Sequence, residues 1–403
     1  MIYFFRSIFA QTLLNAYFIY RIKKSDVISS RLKWVLYFVY AFEILLFFTG
    51  LFAGERLSVE FYTLIQKISG IWVLGHVYLC FVVIIFFLLN IIERKWHIFR
   101  RLKENTVRKL KLYCFLFFLL FIGINLYMGY ENYLHPKVEN FSFEFNKRAA
   151  SVDSPKATYR LVVISDLHLG YIIGEERLKQ YVGLINAQKP DVLVVVGDLI
   201  DYTLKPLIAG KMHEELLKLE APKGKFLVLG NHEYKFDPEL RFDWISKAGF
   251  TILKDSVALI NNDSINNGLV GNDSINNDSI NNSSINNVLY LIGRDDRANK
   301  NRLPIEELMS KVDLKKPCIF LAHRPSEIKD AYRYEIPLTI CGHTHGGQAF
   351  PVNLLGRFLY ASVYGMQQKG ASYSYTTSGL GLSGVPLRIA SDSELVVFDI
   401  KIY

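Results

Sequence analysis

The sequence predicts an α/β domain preceded by a bundle of membrane-spanning helices. Three observations predict it: long uncharged runs confined to the first 150 residues, short β-branched runs separated by helix-like segments after residue 159, and polar clusters at the ends of those short runs.

The 403 residues carry 47 Lys+Arg against 38 Asp+Glu, a formal charge of +9, and 51% of them are apolar. That composition is too greasy for a disordered chain. Residues 1–150 hold 19 basic against 9 acidic side chains, whereas residues 151–403 hold 28 against 29. A nearly neutral second part argues against a nucleic-acid surface there, and no nucleic-acid partner is expected. Four cysteines, none in a CxxC pair, exclude a disulfide-stapled scaffold.

Residues 68–92 and 112–130 are free of charge and long enough to cross ~30 Å of hydrocarbon at about 1.5 Å per residue. Residues 34–54 are equally apolar except for Glu43, which is tolerable in lipid when it faces another helix. Residues 7–20 form a shorter run behind Arg6, either a fourth span with Arg6 snorkelling or a surface helix, so three to four spans are expected. No small-residue cleavage site follows that run, which argues against a signal peptide. Residues 21–33 contain five basic side chains and residues 93–111 contain eight, against two in residues 55–69. Both basic loops are expected inside the cytoplasm, which puts everything after residue 130 on its outer side, at the plasma (inner) membrane. Glu43 and His76 are expected to hydrogen-bond within the bundle rather than to relay protons. Membrane lipids are the partners of this region, with lipid headgroups a secondary attraction for the basic loop at 94–111.

Residues 133–156 are polar and read as a linker, so the domains expected are 1–132, membrane; 133–156, linker; and 157–403, the α/β domain. In the last, the apolar runs at 161–164, 192–196, 226–229, 319–321 and 338–340 look like strands buried on both faces. Residues 175–187, 207–219 and 304–312 look helical. Each strand runs into a polar loop: Asp166 and His168; Asp198 and Asp201; Asn231, His232 and Glu233; His323 and Arg324; His343 and His345. Ligands gather beyond the carboxyl ends of such strands, so the five loops should converge on one crevice. Mixed imidazole, carboxylate and amide donors suit Mn, Fe or Zn, and their number suits two ions better than one.

The series DLH, GDLID, GNHE, AHRP and GHTHGG resembles the calcineurin-like metallophosphoesterase superfamily over residues 159–403. The C-terminal Thr377 to Gly381 and Gly384 to Arg388 stretches are similar to its membrane-associated branch of YkuE- and YaeI-like phosphodiesterases. The resemblance implies an αββα sandwich of two mixed β-sheets flanked by helices. It implies two divalent metal ions, with Asp166, His168 and His345 on the first, Asn231, His323 and His343 on the second, and Asp198 bridging. His232 corresponds to the catalytic residue that protonates the leaving group or stabilises the transition state, while Asp201 and Glu233 orient ligands. The implied activity is hydrolysis of a phosphodiester, pyrophosphate or phosphomonoester by a hydroxide held between the metals. Its substrate would be a phosphate ester, lipid-linked or derived from the envelope. A role on UDP-2,3-diacylglucosamine in lipid A synthesis is disfavoured by the outward orientation, and a non-hydrolytic membrane sensor by the presence of His232.

Arg324 and Arg388 are candidate contacts for the substrate phosphate. Cys318 and Cys341 are expected to be buried free thiols. Residues 261–287 repeat Asp-Ser-Ile-Asn-Asn with a period of five that suits neither helix nor strand, which reads as a flexible insertion whose Asn-Asp-Ser triplets are potential glycan acceptors.

Overall fold

The computed structural model describes residues 2–25, 28–97, 102–145, 155–261, 269–270 and 288–403. Packing divides the chain into two units, Met1–Met128 with Gly384–Pro386, and Gly129–Ser383 with Leu387–Tyr403.

The first unit is helical. Helices α1 (Ile2–Lys24), α2 (Ser30–Ala53), α3 (Val59–Trp96) and α4 (Glu104–Leu134), whose last residues belong to the second unit, follow one another. Ser29 and Ser58 cap α2 and α3 by accepting the N–H of Leu32 and Phe61. Among the described residues, α2, α3 and α4 are long and apolar enough to cross a membrane, and α1 is not one of them. The polar side chains of α1 explain its lower hydropathy: Gln11 donates to one oxygen of the buried Glu43 and Asn15 to the other at 3.2 Å. Tyr40 meets His76 Nε2 at 2.7 Å, and His76 Nδ1 reaches the Trp72 carbonyl at 2.8 Å. Glu43 and His76 are thus internal hydrogen-bonding groups of the bundle, each with a partner on another helix.

The second unit carries thirteen strands and seven further α-helices among its described residues. In chain order these are β1 (Lys137–Phe145), β2 (Ala157–Ile164), α5 (Glu175–Ala187), β3 (Val192–Val196), α6 (Lys205–Ala209), α7 (Met212–Leu217), β4 (Lys225–Val228), α8 (Pro238–Lys247), β5 (Thr251–Leu253), β6 (Ser256–Ile260) and β7 (Leu269–Val270). There follow β8 (Leu289–Arg294), α9 (Ile305–Ser310), β9 (Cys318–Ala322), α10 (Ile328–Arg333), β10 (Leu338–Cys341), α11 (Val352–Leu359), β11 (Gly365–Lys369), β12 (Ser372–Thr376) and β13 (Glu394–Ile402). They form two mixed sheets of order β1-β13-β2-β3-β4-β5 and β11-β12-β10-β9-β8-β6-β7.

Side chains alternate across a strand, and this sorts the core into layers. Leu161, Val163, Val194 and Val196 of the first sheet meet Ile319, Leu321, Leu338 and Ile340 of the second. Their neighbours Val162, Ile164, Leu193 and Val195 face outward under Leu178, Tyr181 and Ile185 of α5 and Trp244 and Ile245 of α8. Phe320 and Ala322 likewise lie against Leu308 and Met309 of α9 and Ile328 and Ala331 of α10. The result is the four-layered αββα sandwich, each buried aliphatic contributing about 1.5–3 kcal/mol.

One expectation is corrected. Residues 133–156 do not act simply as a linker, because Lys137–Phe145 is an edge strand in parallel register with β13 from Lys137 opposite Glu394 to Phe145 opposite Ile402. Phe141, Phe143 and Phe145 alternate onto the inter-sheet core. An edge strand with one half-buried face lacks the continuous apolar run that marks a central strand, so it reads as polar. The expected helix at 207–219 is two short helices, α6 and α7. Of the repeat at 261–287, Asn261 and β7 are described and the rest lies outside the described residues. Cys318 and Cys341 are buried free thiols.

Candidate metal centre

Strands β2, β3, β4, β9 and β10 are buried and lie side by side within their sheets, so the loops leaving their carboxyl ends are forced together. After β2, Ser165 Oγ lies 2.5 Å from Asp166 Oδ2, which also accepts the N–H of His343 at 2.9 Å. This leaves Asp166 Oδ1 facing His345 Nε2 at 3.4 Å and His168 Nε2 at 3.9 Å, while the two imidazole nitrogens lie 3.1 Å apart. The contact is close because residue 342 is glycine: a Cβ there would lie 2.6 Å from Asp166 Oδ2.

After β3, Asp198 Oδ1 accepts the N–H of His232 at 2.8 Å, and Oδ2 lies 3.6 Å from His168 Nε2 and 3.3 Å from His323 Nε2. His323 directs Nδ1 at the Val196 carbonyl at 2.9 Å, which frees Nε2 to face His343 Nδ1 at 3.1 Å. The donor atoms of Asp166, His168 and His345 lie within 4.8 Å of one another, as do those of Asp198, His323 and His343. His168, Asp198 and His232 form a third, overlapping group. Asp166, His168, Asp198, His343 and His345 all adopt positive φ, between 47° and 74°. Such backbone strain, about 1–3 kcal/mol per residue, persists where side-chain placement demands it.

The residues behind this set are those that hold it. Glu233 accepts the N–H groups of Asp198, Ile200 and Gly230 at 2.8–3.1 Å, which joins the loops after β3 and β4. Asp201 Oδ1 stands between His168 Nδ1 at 3.4 Å and His232 Nδ1 at 3.2 Å. The buried Arg241 of α8 donates to the carbonyls of Asp201, Tyr202 and His232. Lys235 Nζ lies 2.5 Å from His232 Nε2 and 4.3 Å over the Tyr202 ring. Arg241 and Lys235 lie outside the motifs that mark the site in the sequence; Lys235, two residues beyond GNHE, carries a signal as a cation in a ligand loop, whereas Arg241 reads as an ordinary helix-surface residue.

Arg324 pairs with Asp296 at 2.7 Å and stays partly exposed beside the crevice. Arg388 requires a correction. It is 0% exposed, and its guanidinium donates to the carbonyls of Gly379, Gly381, His345 and Asp392 and to Ser391. It lies behind His345 and not in the crevice, held there by the carbonyls to which it donates.

Burial opposes every charge in this set, and the partners decide each sign. His323, with Asp198 and Asp166 close by, is pushed up to about 10 despite burial. Burial and the neighbouring His323 push His343 down to about 3. Burial raises Asp166, whereas for Asp198 the imidazoles led by His323 outweigh burial and hold it well below the usual carboxylate range. Opposed shifts among groups packed at hydrogen-bond distance mark a dry, crowded site. The donor set fits a divalent cation: Asp166 Oδ1 and Asn231 Oδ1 are buried and accept no hydrogen bond, an omission that a cation corrects.

The calcineurin-like phosphoesterase family pattern matches residues 159–347. An uncharacterized metallophosphoesterase of Aquifex aeolicus is 31% identical over 292 residues, covering 70% of this chain and 98% of the relative. A transmembrane protein with metallophosphoesterase domain from Danio rerio is 30% identical over 276 residues, 66% of this chain and 57% of that protein. The metallophosphoesterase YkuE of Bacillus subtilis is 27% identical over 282 residues, 68% of this chain and 89% of YkuE. A match at this identity along nearly the whole of the Aquifex relative, on a sandwich of two mixed sheets with clustered His and Asp donors, shows that the chain belongs to the calcineurin-like metallophosphoesterase family.

Proposed function

We propose that this chain is a membrane-anchored dimetal phosphoesterase that hydrolyses a phosphodiester on the outer side of the cytoplasmic membrane, with Mn, Fe or Zn as its metals. The carrying observation is Asp198 Oδ2, which lies between His168 on one side and His323 on the other and so joins the two donor groups. In this reading Asp166, His168 and His345 would hold one ion, Asn231, His323 and His343 would hold the other, and Asp198 would serve both. Divalent cations bound there supply Lewis acidity, which acidifies water and draws charge from the phosphoryl oxygens.

The chain's own residues do the rest. Water oxygen adds to phosphorus and gives up one proton, the bond to the leaving oxygen breaks, and that oxygen takes up a proton from His232, which the proton lost by water replaces, so that none is gained or lost overall. The His232 ring is oriented for this by Asp201 at 3.2 Å and stands edge-on to His168 with ring centroids 4.4 Å apart. A positioned proton donor contributes about 10²–10⁴-fold. Arg324, tethered by Asp296 at the rim, would donate to a phosphoryl oxygen of the substrate. The membrane anchor is α2 to α4, and a tethered enzyme suits a lipid-linked or envelope ester.

The test is hydrolysis of bis-p-nitrophenyl phosphate and p-nitrophenyl phosphate by the detergent-solubilised full chain with Mn, Zn, Fe or Mg, beside Asp198→Asn. Metal-dependent turnover of the diester, lost by at least 10²-fold in the variant, is expected. Equal rates in both proteins overturn the reading. Protease shaving of intact cells, with residues 157–403 cleaved from outside, checks the orientation.

A further inference from the structure

Helix α11 is amphipathic with its faces reversed. At about 100° per residue, Leu354, Phe358, Leu355, Leu359 and Val352 fall within an arc of about 160°, and all five are exposed, Phe358 at 88% and Leu359 at 76%. The side turned to the protein is the polar and small one: Gly356 is buried, and the Asn353 backbone packs so closely on Gly347 that a Cβ at 347 would lie 2.2 Å from Asn353 Cα. Phe350, Tyr364 and Met366, exposed on the flanking segments, extend the patch. An exposed apolar surface of this size is a binding surface or an aggregation hazard.

The helix is also bound to the metal centre. It follows the loop that carries His343 and His345, Tyr360 at its C-terminus lies edge-on to the His343 ring at 5.8 Å, and Thr344 donates to the Val363 carbonyl at 2.6 Å. Beside Leu359 and Tyr360 is a pocket of about 180 Å³ whose wall also includes Lys329 and Arg297, the latter paired with Glu327 at 2.5 Å. An apolar face bordered by tyrosines and cations matches a bilayer surface with anionic headgroups. A second copy would bring like cations together. The chain carries its own tether to a bilayer, because β1 begins at Lys137, directly after the candidate span α4 ends at Leu134.

We propose that α11 inserts its apolar face into the outer part of the bilayer and thereby presents the metal centre to phosphate esters carried on lipid tails. The insertion stands on its own geometry, and the choice of substrate rests on the phosphoesterase reading above.

The full chain, with Cys80→Ser and Cys114→Ser, is labelled with NBD at Phe358→Cys, or at Glu239→Cys on α8 as control, and reconstituted into phosphatidylcholine–phosphatidylglycerol vesicles. The Phe358 label should be quenched at least twofold by dibrominated acyl chains while the Glu239 label stays unquenched. An unquenched Phe358 label, or one shielded from quencher but disulfide-crosslinked as a free cysteine to a second copy, overturns the proposal. In unlabelled chain, Leu355→Asp with Phe358→Asp and Leu359→Asp should lower hydrolysis of hexadecyl p-nitrophenyl phosphate in those vesicles at least tenfold and leave bis-p-nitrophenyl phosphate hydrolysis unchanged. Equal loss on both esters, or on neither, overturns the substrate assignment. A wild type that is quenched yet hydrolyses neither ester refutes the phosphoesterase reading and leaves the insertion standing.

Discussion

Glu233 Oε2 accepts the backbone N–H of Asp198 at 2.9 Å, so a carboxylate from the loop after β4 fixes the residue whose own carboxylate faces both His168 and His323. The same side chain accepts from Ile200 and Gly230 and is fully buried. Glu233→Ala leaves three N–H groups without their acceptor, at roughly 1 kcal/mol each. Thermal unfolding of the detergent-solubilised full chain should register a loss of about 3 kcal/mol, and Glu233→Gln, which retains an acceptor oxygen, a smaller one.

Arg388 separates a positioning role from substrate contact. Its hydrogen bonds to the His345 carbonyl and to the turns around it hold an imidazole of the first donor group. Arg388→Lys loses the planar fork and should weaken metal affinity about 10-fold with KM for bis-p-nitrophenyl phosphate unchanged at saturating metal. Chelator competition reads the first quantity and steady-state kinetics the second. A raised KM with unchanged metal affinity would return Arg388 to the crevice.

Glu394 makes stability depend on pH at a point away from the metal donors. Burial raises its carboxyl above the usual range, despite hydrogen bonds from Tyr364, Tyr375 and the Ser378 N–H. A carboxyl raised by folding favours the protonated fold, so its contribution is complete below the ordinary glutamate value and is lost as pH rises through the raised one. Glu394→Gln cannot ionise. Its melting temperature relative to wild type should therefore climb as pH rises above the ordinary glutamate value of about 4.3; a flat difference would show that the burial is relieved in solution.

Cys318 tests the packing between the second sheet and its helices. Burial, with the Asp313 charge, pushes its thiol up to about 12, so the thiolate fraction at pH 8 is about one in ten thousand. Together with the buried Cys341 it should resist Ellman's reagent in the folded chain and react in urea, with mass spectrometry assigning the sites. Rapid labelling of Cys318 in the native protein would contradict the core described here.

The sequence by itself determined what is local. Apolar runs long enough for lipid, β-branched runs buried on both faces, and the Asp, His and Asn residues that end them are encoded within windows of a few residues, because periodicity and strand ends are short-range properties. Those windows sufficed for the fold class and the family, and they place every donor on a loop. Only the tertiary structure decided what depends on partners far along the chain. β1 is a strand because β13, some 250 residues later, offers it an edge. Gln11 and Asn15 matter because Glu43 faces them, Arg388 donates to the carbonyl of His345, 43 residues earlier, and α11 carries its apolar face outward because Gly347 and Gly356 let the other side pack. A side chain's role in each case follows from the group that chain folding brings opposite it, which no local pattern encodes.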